Sequence, residues 1–343
     1  MCNGAASPLV GGTDSVYSKS MKISRRAALT SVLAPLLTAG TSGKTASVPE
    51  GLWPVMLTPF HEDKSIDWKA LDALTDWYLE NGADGLFACC QSSEVWELTE
   101  QERIDVCAHV VKRAGKTPVV AGGLPGFNPG AVSAFVTKIE DRGVKAAVLT
   151  TCQVAERTEG DPIWQDRVGA MLEATKPFPF GLYEAPRPYK RLLSPETMNW
   201  AARTGRFVFH KDTSCEMPAI AAKVKAIQGT PLRLFNAHVP ILIEAIREGG
   251  HGFSGIAANA YPKLVAHAVH RQADQSKSAE LVQAFLTKNE PLLNLRYPVS
   301  AKVLAALAGV PIRPVCRRNV VALTAEQMER LRALRKEADA VLG

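Results

Sequence analysis

The stretch Phe207-Val-Phe-His-Lys-Asp-Thr-Ser214 places a lysine, Lys211, at the end of a short run of apolar residues. Aromatic and β-branched residues in so short a run predict a buried strand that leads into a polar loop. Similar runs recur along the chain, and longer amphipathic stretches separate them. The predicted strands cover residues 53–57, 85–89, 118–121, 146–150, 180–184, 207–211, 232–236 and 252–257. Strands that alternate with helices are typical of βαβ units and a parallel sheet.

Eight such units over about 220 residues fit a TIM (β/α)8 barrel, typically about 250 residues long, better than a doubly wound sheet with fewer strands. The first strand is not followed by Gly-x-Gly-x-x-Gly, which argues against a dinucleotide-binding fold. Beyond His270 the strand pattern stops, and helices are predicted over 279–288, 299–307 and 324–342. The predicted organisation is an export signal and linker (1–50), the barrel (51–270) and a C-terminal helical segment (271–343).

The charge distribution limits the classes of partner. The chain has 343 residues and a formal net charge of +6, but the residues before Glu50 carry five bases and only one acid. The folded body is therefore close to neutral, which excludes nucleic-acid binding and stable membrane-surface binding as its expected roles. Seven cysteines are too few for a disulfide-stabilised scaffold.

The N-terminal segment resembles a twin-arginine export signal. Ser24-Arg25-Arg26 and Leu29 fit that pattern, and Met21 is an alternative start that would place the arginines near the N-terminus. The uncharged run 27–39 is shorter than the roughly 20 residues that a membrane span needs. The expected location is therefore periplasmic or exported. The alternative is a slightly basic disordered extension on a cytoplasmic protein.

Lys211 is the first candidate for chemistry. At the carboxyl end of a barrel strand, partial burial lowers the pKa of an amine, and the neutral amine can attack a carbonyl to form a Schiff base. The alternative is a lysine that extends to the rim or pairs with Asp212. Tyr183 ends the preceding strand, where a phenol can transfer protons during such chemistry. Its alternative is a packing role.

The turn after the second predicted strand contains Ser92 and Ser93. Hydroxyls and backbone N–H groups in a turn that leads to a helix can bind a substrate carboxylate. These residue types suit an ordinary βα loop equally well. Metal binding would have to use isolated histidines or the pair His267 and His270, which we interpret as a solvated helix face.

Together these features resemble the dihydrodipicolinate synthase and N-acetylneuraminate lyase superfamily, class I pyruvate-type aldolases on a TIM barrel, from about residue 51 to the C-terminus. The markers are Thr58-Pro-Phe60, Ile66-Asp67, Glu94, Leu98-Thr99, Glu102-Arg103, Tyr183, Pro186, Lys211, Gly255 and Asn259. The resemblance implies that Lys211 is the Schiff-base lysine and Tyr183 the proton-transfer phenol. It also implies that Gln91, Ser92, Ser93 and Ile256 bind the 2-oxo acid substrate, that neither cofactor nor metal is used, and that the protein is a homotetramer or homodimer.

The chain departs from the usual pattern of this superfamily in its substrate-binding turn. The turn usually reads Gly-Thr-Thr-Gly-Glu or Gly-Ser-Thr-Gly-Glu, whereas this one reads Cys90-Gln-Ser-Ser-Glu94. Gln91 replaces a hydroxyl that belongs to a proton relay in the synthases, and Ser93 replaces a glycine. After the fourth strand, Cys152-Gln-Val154 stands where the synthases carry Pro-Tyr-Tyr, so the relay tyrosine lent across the subunit interface is missing.

A further departure follows Tyr183. Glu184 replaces the usual Asn, and Pro188 stands where an arginine often binds the second substrate. We therefore expect a Schiff-base lyase or aldolase for pyruvate or a longer 2-oxo acid, but not a lysine-pathway synthase. The basic loop Arg187–Arg191 suggests an acidic or polyhydroxylated partner, and the alternative is a solvated surface loop without a partner. The alternatives are a 2-oxo sugar-acid dehydratase and a non-catalytic 2-oxo acid binding protein.

Overall fold

A computed structural model of the chain describes residues 47–271 and 277–342. The predicted export signal lies outside the described residues. The strands are β1 (Gly51–Leu52), β2 (Leu86–Ala88), β3 (Val119–Ala121), β4 (Ala146–Thr150), β5 (Phe180–Tyr183), β6 (Phe207–Asp212), β7 (Arg233–Asn236) and β8 (Gly252–Phe253). Between them lie α1 (Trp68–Glu80), α2 (Glu100–Ala114), α3 (Pro129–Glu140), α4 (Asp161–Ala174), α5 (Pro195–Arg203), α6 (Met217–Ile227) and α7 (Leu242–Arg247), and α8 (Pro262–Arg271) follows β8.

All strand pairs are parallel, in the order β1-β8-β7-β6-β5-β4-β3-β2. A parallel bridge between Val55 and Phe87 joins the segment after β1 to β2 and closes the ring. The predicted TIM barrel with a C-terminal helical segment is therefore confirmed.

Two predicted strands differ clearly from the observed ones, whereas the other six agree to within one residue at each end. The first pairs with β8 only over Gly51–Leu52, because Pro54 has no N–H to donate and the chain then turns to bond Phe87 of β2. The last strand ends at Phe253, and Ile256–Asn259 form a turn of 3-10 helix. Gly255 permits this turn, since a Cβ there would lie 2.5 Å from the Ala237 carbonyl oxygen.

Aromatic side chains fill the barrel below the predicted site. The Phe209 ring lies 4.8 Å from that of Phe235, 5.3 Å from that of Trp53 and 5.6 Å from that of Phe87, centroid to centroid. Alternate residues of a strand face the same side, so Lys211 faces the interior together with Phe209. The lysine therefore lies next to a dry aromatic core.

The C-terminal segment consists of α9 (Lys277–Asn294), α10 (Val299–Leu307) and α11 (Ala325–Ala340). α9 extends beyond both predicted ends and continues through Pro291. The side chain of Thr324 caps α11 and pairs with Gln327 in a capping box. Within the described ranges, we find no helix that is both long enough and apolar enough to cross a membrane.

Candidate active site

Lys211 and Tyr183 lie side by side on neighbouring strands. They are paired in the parallel register of β5 and β6, and the Lys211 Nζ lies 4.4 Å from the centroid of the Tyr183 ring. Each residue is only 3% exposed. The edge of the Tyr183 ring also packs against Phe87, with centroids 5.7 Å apart. Strand pairing and aromatic packing thus fix the amine over the face of the phenol.

Burial sets the protonation of both groups. Loss of solvation lowers the pKa of Lys211 to about 8, although the nearby Cys90 thiol opposes this effect. Burial also raises the pKa of the Tyr183 phenol well above its ordinary value, and Cys90 and Tyr297 add to the shift. At pH 7 roughly a tenth of Lys211 is therefore a neutral nucleophile, far more than for a lysine with its ordinary pKa of about 10.4, while Tyr183 holds its proton.

In the turn that follows β2, two of the three predicted binding residues use their side chains for hydrogen bonds to the protein backbone. The Ser93 hydroxyl donates to the Met56 carbonyl at 2.7 Å and accepts from the Cys90 N–H at 3.1 Å. The Gln91 side-chain amide donates to the Arg187 carbonyl at 2.8 Å. Both groups therefore hold the turn in place, and the hydroxyl of Ser92 is the better candidate for contact with a substrate.

Ser92 has a partner that the sequence did not indicate. The Tyr297 hydroxyl, in the connection between α9 and α10, donates to the Ser92 Oγ at 2.7 Å. The Asn259 side-chain amide donates to the same Tyr297 hydroxyl at 2.8 Å. The sequence offered only a Tyr-Pro pair between two predicted helices, 205 residues from Ser92, and no local pattern links such distant positions.

Glu94 joins the turn to the C-terminal segment. It is fully buried and in the left-handed conformation, with φ of 56°. Its carboxylate accepts from the Lys302 Nζ at 2.8 Å and from the backbone N–H groups of Arg317 and Arg318 at 2.8 and 3.0 Å. The C-terminal helices therefore help to hold the conformation of the substrate-binding turn.

A second buried polar cluster lies on the opposite face of the same strands. Glu184, His210 and Asp212 have potential metal-ligand atoms within 4.8 Å of one another. The Lys223 Nζ lies 2.6 Å from a carboxylate oxygen of both Glu184 and Asp212. The lysine therefore supplies the positive charge that these two carboxylates need.

The basic loop at the mouth is only partly free to meet a substrate. Arg191 is buried, 3.1 Å from the Asp161 carboxylate, and also donates to the Glu159 carbonyl at 2.8 Å. Arg187 and Lys190 are exposed, and neither forms an ion pair with any residue that the structure describes. These two side chains are the remaining candidates for binding an acidic partner.

The other predicted positions lie apart from this cluster of contacts. Ile256 is buried just after β8, at the same end of the barrel as Lys211. His267 bonds the Ser278 hydroxyl and His270 bonds Asp84, each at 2.8 Å. The two histidines therefore do not share a common ligand position, in agreement with their interpretation as a surface pair.

A sequence profile of the dihydrodipicolinate synthetase family matches residues 48–338 of the chain. The chain belongs to this family. The 4-hydroxy-tetrahydrodipicolinate synthase of Anaeromyxobacter dehalogenans is 26% identical over 281 residues, which span 79% of this chain and 94% of that protein. The synthase of Oceanobacillus iheyensis is 24% identical over 282 residues, 81% of this chain and 94% of that protein.

Solved structures support the same fold. A monomeric dihydrodipicolinate synthase variant aligns with a TM-score of 0.78 and 20% identity over 88% of this chain and 99% of that one. YagE, a prophage protein of the dihydrodipicolinic acid synthase family from E. coli K12 solved in complex with pyruvate, aligns with a TM-score of 0.77 and 18% identity. That alignment covers 84% of this chain and 98% of YagE.

This member of the dihydrodipicolinate synthetase family has no phenol in the loop after β4. Cys152 is buried there, with its Sγ 3.4 Å from the Arg187 carbonyl oxygen, and Gln153 is half-buried. Among the described residues, the phenol hydrogen-bonded to the turn after β2 is instead Tyr297, from the same chain.

Proposed function

We propose that this protein is a lyase that binds pyruvate or a longer 2-oxo acid as a Schiff base on Lys211. The observation that carries the proposal is a buried lysine with a pKa of about 8 that lies against Tyr183. Desolvated lysines of this kind are suited to attack on a carbonyl. Family membership, and the pyruvate bound to YagE, support pyruvate as the substrate class.

In the proposed reaction, the neutral Lys211 amine attacks the C2 carbonyl of the 2-oxo acid. The resulting carbinolamine must lose its hydroxyl as water, and the Tyr183 phenol donates the proton for that step. Ser92 donates a hydrogen bond to the carboxylate. When the C3–C4 bond then breaks, its electron pair passes through C3 to the protonated imine and gives an enamine. The Tyr183 phenolate left by the previous step accepts the proton of the C4 hydroxyl, which becomes the carbonyl of the released half, and condensation is the reverse of this step.

We further propose that the second half of the substrate is acidic or polyhydroxylated and differs from that of a lysine-pathway synthase. Arg187 and Lys190 are exposed and available at the mouth, whereas Pro188 stands where the synthases often carry an arginine. A 2-oxo sugar acid is polyhydroxylated, and it differs from the substrates of a lysine-pathway synthase. Dehydration of such an acid is the second candidate reaction, because the same imine intermediate supports loss of a C4 hydroxyl as water after proton removal at C3.

A screen of 2-oxo sugar acids distinguishes these reactions when pyruvate release and water loss are monitored separately. Pyruvate release that depends on Lys211 supports the lyase. Water loss without pyruvate release supports the dehydratase. If ligands raise the melting temperature but none is converted, the non-catalytic binding protein replaces both enzymes. The Lys211→Ala variant is the control for each activity.

We also propose that the protein is exported and forms a homo-oligomer. The twin-arginine pattern at Ser24–Arg26 supports export, and the near-neutral folded body offers little charge repulsion against association. Fractionation of cells that carry the native gene, with an Arg25→Lys, Arg26→Lys variant as control, tests export. Light scattering at micromolar concentration tests assembly, and a monomer mass would contradict it.

A further inference from the structure

A chain of polar groups, buried except for the half-buried Tyr297, ends at the Ser92 hydroxyl. It runs from the Val55 carbonyl through the Asn259 amide and the Tyr297 hydroxyl to Ser92, with donor–acceptor distances of 2.7, 2.8 and 2.7 Å. The Asn259 oxygen accepts from the Tyr78 hydroxyl at 2.9 Å. Ser92 is 3% exposed, and Asn259 and Tyr78 are fully buried.

The direction of every hydrogen bond in this chain follows from its first member. A backbone carbonyl can only accept, so the NH2 group of Asn259 must face Val55, which also fixes the Asn259 oxygen toward Tyr78. The second Asn259 N–H donates to the Tyr297 oxygen. The Tyr297 proton must therefore go to the Ser92 Oγ, and the Ser92 proton is left for another acceptor.

Tyr297 keeps this role across the working pH range. Burial raises the pKa of its phenol, although the hydrogen bonds to Ser92 and Asn259 oppose the shift. The phenol therefore remains a donor near neutral pH. The turn also lies close to the proposed nucleophile, since the Cys90 thiol at its start interacts electrostatically with both Lys211 and Tyr183.

We propose that Tyr297 is a positioning residue that fixes Ser92 as a hydrogen-bond donor and so makes the site selective for a carboxylate at C1 of the substrate. This inference rests on the proposed function. A carboxylate offers only acceptors, so it matches the fixed donor in either orientation. An amide at C1 offers one oxygen acceptor and one NH2 group, so it matches the fixed donor in only one of its two orientations, and its hydrogen bond lacks a charged acceptor.

The test measures binding of pyruvate and of pyruvamide to the full chain by calorimetry. In Tyr297→Phe, the Ser92 hydroxyl loses its enforced orientation. We expect the Kd for pyruvate to rise several-fold, up to the roughly tenfold cost of losing one hydrogen bond to a charged group, and the Kd for pyruvamide to rise less than that for pyruvate. An unchanged pyruvate Kd overturns the inference.

Tyr78→Phe is the matched control. It also removes one phenol hydroxyl from this network. The hydrogen bond between Asn259 and Val55 still fixes the direction of the remaining hydrogen bonds. We expect this variant to keep the pyruvate Kd within about twofold. If it weakens pyruvate binding as much as Tyr297→Phe does, the effect comes from loosened packing and the inference is wrong.

A double variant separates positioning from general damage. If Tyr297 acts only through Ser92, the pair Ser92→Ala, Tyr297→Phe binds pyruvate no more weakly than Ser92→Ala alone. Additive losses contradict the inference. Absence of a reducible pyruvate adduct on the wild-type chain overturns the proposed function, whereas the Kd comparison decides the role of Tyr297. If pyruvate does not bind the wild type at all, both are overturned.

Discussion

Lys211 and Tyr183 face each other across the pair β5 and β6, with the Lys211 Nζ 4.4 Å from the centroid of the Tyr183 ring. The ring face is electron-rich and attracts the ammonium form of the lysine, whereas burial disfavours that form. Burial lowers the pKa of Lys211 to about 8. The same contact places the amine that forms the imine over the ring of the proposed proton donor.

Tyr183→Phe should slow turnover much more than it weakens substrate binding. The ring and its packing against Phe87 remain, but the proton donor for carbinolamine breakdown is lost. General acid catalysis contributes about 100-fold or more, so we expect kcat to fall by at least that factor with KM changed only a few-fold. Steady-state kinetics on the substrate found in the screen measures both. Equal losses in binding and turnover would contradict a proton-transfer role.

The rate of imine formation should rise with pH and level off above about 8. Only the neutral amine attacks the carbonyl, and burial lowers the pKa of Lys211 to about 8. Short incubations with pyruvate at several pH values, each quenched with borohydride at one common pH, give this profile. A rate that keeps rising to about 10.4, the ordinary value for lysine, would show that the amine is solvated.

Glu94→Gln should destabilise the fold strongly. The change leaves the Lys302 ammonium buried without its counter-ion and places an amide against the N–H groups of Arg317 and Arg318. Loss of one partner from a buried ion pair costs about 3–5 kcal/mol of unfolding free energy. Denaturant unfolding measures the loss.

The matched control is Glu329→Gln, which breaks an exposed ion pair with Arg332 in α11. Exposed pairs contribute less than about 1 kcal/mol, so this variant should unfold close to the wild type. Equal losses from the two variants would contradict the view that burial makes Glu94 important.

Lys223→Met should destabilise the protein most at neutral pH. The two carboxylates of Glu184 and Asp212 would then be buried together without Lys223, which now lowers the pKa of Asp212. Without the lysine, the Asp212 carboxylate loses this stabilisation of its charged form while it stays buried, so the folded state takes up a proton there. The folded variant then binds more protons than the unfolded chain, so its deficit shrinks as pH falls from about 7 to about 5. Urea unfolding at both pH values checks the sign, and a pH-independent deficit would contradict it.

Much of the fold follows from local patterns. Short apolar runs and amphipathic stretches indicate the barrel, because each strand is buried on both faces and each helix on one. The caps at Thr99, Ser194 and Thr324 also follow from local sequence. The end of β1 does not, because Pro54 allows the chain to leave β8 and bond β2, and this depends on contacts distant in sequence.

The sequence predicts the positions of those site residues that lie at the carboxyl ends of strands. Lys211 and Tyr183 meet because carboxyl ends of parallel strands lie at one end of the barrel. Ser93 and Gln91 form hydrogen bonds to the carbonyls of Met56 and Arg187. Both contacts are distant in sequence, so no local pattern predicts them. The same reason explains why Tyr297 was missed: its contact with Ser92 joins the C-terminal segment to the second βα loop.

Reductive trapping detects a Schiff base between Lys211 and a 2-oxo acid. The full chain is incubated with pyruvate and borohydride, and its peptides are analysed by mass spectrometry. We expect one reduced adduct per chain on the peptide that contains Lys211. The adduct should be lost in Lys211→Ala and retained when the exposed Lys190 is changed to Ala. Absence of an adduct with pyruvate and longer 2-oxo acids, or an adduct on Lys190 instead, would contradict this expectation.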